Sequence, residues 1–403
     1  MVLRCVLLAF VWCGLAASQD PVPAAAATPA GIPEPDIPTL LRAGDGMYLK
    51  GDYAGADLAF LEAWDIAQAL RPEDPSRYDV LKKLVSVRAA AGEFADANDY
   101  LQIAIHWRET TLGPNDPKIA DDLLESVSLL RGLKDYGHAL TVMSQVMAMH
   151  MKENQFQSAV VADDFSRFAQ IQMEYQKPED AAGSLHTALS IRTQLAGPLD
   201  PTLIYDLDRL GAVFITLRQY DKAEEAYRHA LVIRESIYGK ENADLISTVD
   251  GLAYACFGQK KYEVAEPIYQ RLVALWIKSV GPEHPVVAIT LDKVATFYAD
   301  QKKFDQARDA SDRANAIRAH FLATGLTQQA TEQLGEGNKP DALALYQRAL
   351  RVMDPPNPIY DQLRSDTEEI VKSFAPSTVK LQKKLPAASG RAPATAAPAE
   401  KKQ

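Results

Sequence analysis

Apolar residues in the middle of this chain fall on a helical stripe. Leu207, Leu210, Gly211 and Phe214 stand at i, i+3, i+4 and i+7. One copy later come Val249, Leu252, Ala253 and Cys256, then Leu291, Val294, Ala295 and Tyr298. This spacing gathers each set on one face of a helix and predicts that the face is buried. Gly211, Ala253 and Ala295 share one position, kept small so that two helices can approach. A second predicted helix, such as Tyr220 to Tyr238, turns Ala223, Tyr227 and Ala230 inward. No stretch alternates with the period of two that a half-buried strand requires, so the expected fold is all-α.

The two helices recur together. Ala97, Ala139, Ala181, Ala223, Ala265 and Ala307 are each 42 residues apart, and Phe94, Tyr136, Tyr220, Tyr262 and Phe304 precede five of them by three places. Such a period means stacked copies of one supersecondary unit, each burying its apolar face on its neighbours. A parallel register marks the helix starts: Asp74, Asp116, Ser158, Asp200, Asn242 and His284. Five of these six types cap helices well, through a side-chain oxygen that accepts a first-turn N–H. Pro75, Pro117, Pro201 and Pro285 follow four of them. Proline suits the first helical position, because its missing N–H would find no partner there.

These residues resemble the tetratricopeptide repeat, in the longer form found in kinesin light chains. YDKAEEAYRHAL (220–231), YEVAEPIYQRLV (262–273) and GPEHPVV (281–287) carry the likeness. GPNDPKI (113–119) and GPLDPTL (197–203) match the linker with Asp in place of His. Counting Ala56 and Ala342 with the six alanines, the resemblance implies about eight helix-turn-helix repeats in a right-handed α-solenoid. The copy around Ala181 has Pro178 where the others have an aromatic and also lacks the Gly-Pro linker, so an irregularity is expected there. Ala307 to Ala342 spans only 35 residues, close to the shorter standard repeat.

Outside the repeats the composition changes. Residues 1–18 read as a secretory signal: Arg4, an apolar run from Cys5 to Ala17, and the small residues Ala16-Ala17-Ser18. The run is too short to span a bilayer, which needs about 20 residues, so no stable membrane span is expected. Residues 19–38 form a Pro/Ala-rich linker, 39–373 the repeat domain, and 374–403 a basic Pro/Ala/Lys tail without periodicity that reads as disordered. With the signal removed, Cys256 is the remaining cysteine, and it lies on the apolar stripe. There it is expected to act as a small hydrophobe. The chain carries a net charge of −10, while the stretch from Ala375 to Gln403 holds six bases against one acid, so the body ahead of it is more acidic still. An acidic body repels phosphate backbones and argues against nucleic acid as a partner.

Candidate chemistry is sparse. Phosphate-cradling glycine loops, zinc-protease and nucleophile-elbow motifs are missing from the sequence, and the seven histidines are scattered. No catalytic residue, cofactor or metal site is expected, and His284 is explained as a cap. Asp163 and Asp164 are adjacent, but neighbours on a helix point about 100° apart. They read as a solvated helix start rather than an acid–base pair. The resemblance places the first helix of each repeat along a concave groove. Its groove-facing positions would include Tyr205, Asp208, Asp250, Tyr254, Phe257 and Asp292. Asp208, Asp250 and Asp292 share one register and would form an acidic ladder interleaved with aromatics, fit for a basic or amphipathic peptide segment. Family grooves carry asparagine beside that register, whereas this chain has Arg209, Gly251 and Lys293, of which Arg209 and Lys293 could pair with the acids. The function expected is that of an exported, non-enzymatic scaffold or adaptor for other proteins, placed in the periplasm or outside the cell. The alternatives are a self-associating cell-envelope component and a regulatory module acting with a separate effector.

Overall fold

The computed structural model describes residues 36–114, 116–154 and 156–374. The signal, most of the linker and all but the first residue of the tail lie outside the described residues. The described residues are helical, without a strand, and divide into two compact units, one within 36–114 and the other within 116–374.

The first unit holds two antiparallel helix pairs. Helices α1 (Ile37–Tyr48) and α2 (Tyr53–Gln68) form one, α3 (Pro75–Ala90) and α4 (Phe94–Leu112) the other. Phe60, Ala63, Ala67, Val80, Leu84 and Val87 make their common core. Gly44 lets α1 lie on α2: a Cβ there would come within 2.3 Å of the Phe60 ring.

The second unit continues the same plan. First helices (A) are α5 (Lys118–Gly132), α7 (Ala159–Glu174), α9 (Leu203–Thr216), α11 (Ile246–Gly258) and α13 (Pro285–Asp300). Their second helices (B) are α6 (Tyr136–Asn154), α8 (Pro178–Ala196), α10 (Tyr220–Tyr238) and α12 (Tyr262–Val280), followed by α14 (Phe304–Gly335), α15 (Lys339–Val352) and α16 (Asp361–Ser373). The B helices α6 to α12 are each 19 residues long. Each A helix packs on its own B helix, and each B helix on the next A helix. The expected stripe is buried: Leu207, Leu210, Gly211 and Phe214, then Val249, Leu252, Ala253 and Cys256. In α13 it shifts by one place, so that Phe297 is fully buried and Tyr298 only half so. Cys256 is buried as expected, and burial pushes its thiol up to about 11.

All six predicted caps accept a backbone N–H, at 2.8–3.3 Å. Pro75 and Pro285 are first helical residues. Pro117 and Pro201 are not: α5 starts at Lys118 and α9 at Leu203, after a turn that the caps Asp116 and Asp200 hold instead. Pro178 causes no irregularity either, because it begins α8 at the position where a helix needs no N–H.

Two kinds of backbone reversal recur along the described residues. After the A helix, one residue takes positive φ: Gly92, Lys134, Gln176, Arg218, Lys260 and Lys302, each one repeat from the last. At Lys260 the bonds Lys260 N–H to Phe257 O (2.8 Å) and Lys261 N–H to Cys256 O (3.0 Å) close a Schellman turn. After the B helices α4, α8, α10 and α12 the reversal belongs to Gly113, Gly197, Gly239 and Gly281, with φ of 80–94°, while α2 ends at Gln68 without one. The next position in that register is Ala323, followed by Thr324 instead of proline. No turn forms, and α14 runs on for 32 residues, joining the B helix of one copy to the A helix of the next. The separate short repeat expected between Ala307 and Ala342 is therefore fused to its predecessor. The helix that would fold back continues straight instead, leaving Ala307 half-buried and Phe304 65% exposed.

Tyr227 locks successive repeats. Its ring lies where a Cβ on Gly211 would come within 2.6 Å and one on Gly251 within 2.3 Å. One tyrosine thus occupies space opened by glycines on two successive A helices. Gly251→Ala is expected to lower stability by about 1–3 kcal/mol, the usual cost of overpacking. Thermal or urea unfolding of the variant beside the wild type checks it.

Candidate binding face of the A helices

Between repeats the polar chemistry follows the same register. Asp122, Asp164, Asp206, Thr248 and Thr290 occupy one A-helix position, and all are buried. His150 and Arg192, one repeat apart on B helices, reach into this column. His150 Nδ1 lies 2.6 Å from Asp164 Oδ2, and Arg192 Nε donates to Asp206 Oδ2 at 2.9 Å. Arg192 also donates through Nη2 to the exposed Asp163 at 2.7 Å. Asp163 and Asp164 do point apart, but Asp164 is fully buried rather than solvated, and burial raises its carboxyl against the pull of His150 and Arg167. From α5 to α13 this column is polar, so its burial there was not readable from hydrophobic periodicity.

The three acids of the expected ladder lie two places further along. Asp208 is half-buried, accepting from Arg234 Nη2 at 2.5 Å and from Thr248 Oγ1 at 2.8 Å. Asp292 pairs in the same way with Arg318. Arg234 and Arg318 hold equivalent positions, each on the B helix of its acid's own repeat. Asp250 finds Trp276 at the equivalent position and pairs instead with Lys293 of the next A helix, at 2.7 Å to both oxygens. Arg209 does not pair with Asp208. It lies 4.9 Å from the Tyr205 ring centroid and donates to Ser166 O at 3.2 Å. Each acid therefore has a cation in contact. Beside these pairs the A helices leave three large apolar side chains open: Tyr205 (61% exposed), Tyr254 (46%) and Ile289 (56%). Phe257 stands further in, half-buried, with its ring 5.9 Å from that of Phe297 and 6.4 Å from that of Tyr254.

A further ionic link joins B helices to the following turn. Glu224 accepts from Arg228 Nε, Gln259 Nε2 and Lys261 Nζ, each at 2.8 Å. One repeat on, Glu266 accepts from Tyr298 OH at 2.9 Å and Lys303 Nζ at 3.4 Å. Burial opposes ionisation of Glu224, but its donors from Lys261, Arg228 and Gln259 prevail and hold the carboxyl at about 2. Among the described residues no group of three His, Cys, Asp or Glu could hold a metal ion, and no helix is long and apolar enough to cross a membrane.

Stacked helix pairs that leave one helix face open are the architecture of a protein-interaction module. Residues 207–244 and 244–320 match family models described as tetratricopeptide repeat. The chain is a tetratricopeptide-repeat protein. Among solved structures it is similar to BtubC (BKLC) from P. vanneervenii, with 17% identity over 59% of this chain and 91% of that one, at a TM-score of 0.45. The C-terminal part of a TPR repeat-containing protein from Cytophaga hutchinsonii gives 14% identity, 69% and 95% coverage, and 0.49. A Signal Transduction ATPase with Numerous Domains from Pyrococcus horikoshii, with a tetratricopeptide repeat sensor, gives 12% identity, 69% and 42% coverage, and 0.50. At these identities the likeness concerns the fold alone. No curated protein matches the chain.

The folded-state carboxyl of Glu224 sits below its ordinary value of 4.5, so its stabilising effect is present above pH 4.5 and is lost as the pH falls towards 2. Glu224→Gln is expected to be less stable than the wild type by about 1–3 kcal/mol at pH 7, with the gap closing between pH 4.5 and 2. Urea unfolding of both proteins across that range checks the sign and the window.

Proposed function

We propose that this protein is an exported, non-catalytic scaffold that holds a peptide segment of a protein partner along the exposed face of its A helices. The observation that carries this reading is the set Tyr205, Tyr254 and Ile289, which stands exposed beside Asp208, Asp250 and Asp292. Large exposed aromatics flanked by polar groups are typical anchors of protein interfaces. Their surroundings are held in place by the ion pairs Asp208–Arg234, Asp250–Lys293 and Asp292–Arg318. A face already ordered loses little entropy when a partner docks.

The ion pairs also define the partner. Each acid is already balanced, so a purely basic segment would have to displace Arg or Lys. An amphipathic segment gains more, because its apolar side chains cover the aromatics while its polar groups bridge the existing pairs. An acidic body disfavours nucleic acid. Export rests on residues 1–18, whose charged start, apolar run and small residues fit a cleaved secretory signal.

Tyr205→Ser combined with Tyr254→Ser in the full chain tests the face. Loss of an anchoring aromatic typically costs about 2 kcal/mol, so affinity for a captured partner should fall at least about tenfold, with unfolding unchanged. Partner binding that ignores both substitutions contradicts the proposed face. For export, mass spectrometry of the protein from its native host should find a mature N-terminus near Gln19, and a retained Met1 would contradict cleavage.

A further inference from the structure

Two clefts open between successive B helices, away from the proposed A-helix face, at the same phase of the repeat. The first, of about 710 Å³, lies between α8 and α10, with Leu207, Leu210 and Phe214 of α9 as its floor. The second, of about 460 Å³, stands two repeats on and has the corresponding floor Leu291, Val294 and Tyr298. Both exist where the B helix carries alanine, at Ala226 and Ala310. In the repeat between them the same position is Ile268, whose side chain packs against the core.

The rims differ. In the first cleft Phe214 is flanked by Lys222, whose ammonium lies 5.4 Å from the ring centroid, and by His186, whose ring lies at 5.8 Å. Lys222 donates to Gln219 Oε1 at 2.9 Å and has no carboxylate within ion-pair distance among the described residues. The opposite end is closed by His229, held at 2.5 Å to Pro198 O. A cation thus marks one end of an apolar trough. In the second cleft Gln306 replaces Lys222, Gln270 replaces His186, and the rim carries Glu266, Asp305 and Asp309.

We infer that the α8–α10 cleft is a binding site for a small amphipathic monocarboxylate, with its carboxylate at Lys222 and His186 and its acyl chain along Leu210 and Leu207. The wall from Lys222 to His229 spans two helical turns, about 10 Å, which suits a chain of about eight to ten carbons. Clefts of this size with an apolar floor and few polar groups are typical of small-ligand sites. The second cleft has one cation, Arg313 at the His229 position, against three acids and no base at the Lys222 position, so it holds the same ligand less well and one molecule binds per chain.

Calorimetric titration of the full chain with decanoate, below its micellar concentration, tests the site, with decyltrimethylammonium as the opposite-charge control. The expected result is saturable binding of one decanoate per chain, at least about fivefold tighter than the ammonium compound. Ala226→Ile, which copies Ile268, should abolish it, and its melting curve should confirm that the variant folds. Lys222→Gln, at an exposed helix position, should weaken it about threefold to tenfold. The inference is overturned by no saturable binding, by two equivalents per chain, by equal affinity for the ammonium compound, or by binding that survives both substitutions.

Discussion

An α-helix stops cleanly when the residue past its end adopts positive φ and lets the freed carbonyls accept from the turn, and this fold depends on where that can happen. The chain places such a residue at two phases of its repeating unit. After the A helix the position tolerates Lys, Gln or Arg, as Lys134, Gln176 and Arg218 show, because the six-to-one bond of the turn compensates for the strain. After the B helix, where the φ values reach 80–94°, all four residues so placed are glycine. At Ala323 neither glycine nor a following proline marks the register and two helices fuse into one, whereas α2 ends at Gln68 without a positive-φ residue, before Pro72.

With the reversals fixed, side chains from successive repeats meet at constant phase, and the contacts repeat with them. Ala97, Ala139, Ala181, Ala223 and Ala265 are all fully buried, and acids and bases on neighbouring helices recur as pairs. These pairs hold most of the face polar and neutral, so the exposed aromatics stand out as the part able to gain by binding. Where the register changes residue type, the surface changes with it. Trp276 in place of arginine redirects Asp250 to Lys293, and Ile268 in place of alanine fills the space that is a cleft in the repeats on either side.

Much of this was legible in the sequence for a physical reason: burial and capping act locally and leave periodic marks. The caps from Asp74 to His284, the stripe through Leu207 and Leu252, and buried Cys256 all follow from spacing alone. Three features were not legible. Asp164 and Asp206 look like surface residues, because a polar side chain buried by a partner on another helix carries no hydrophobic signal. Gly251 reads as a gap beside the acidic register, but its lack of a side chain makes room for Tyr227, a contact set by tertiary packing. The fusion at Ala323 is hidden because the alanine count registers the next copy without registering the missing turn. Of the candidate site, Tyr205 and Tyr254 stand on an exposed helix face as their spacing implies, while the arginines that neutralise Asp208 and Asp292 come from a different helix.

Amide hydrogen exchange across the native chain addresses the central claim most directly. Glycine punctuation predicts fast-exchanging breaks around Gly197, Gly239 and Gly281, one per repeat, and unbroken helical protection from Ala310 through Ala330. A labile break at Ala323–Gly325, or protection that runs through the glycines, would contradict it.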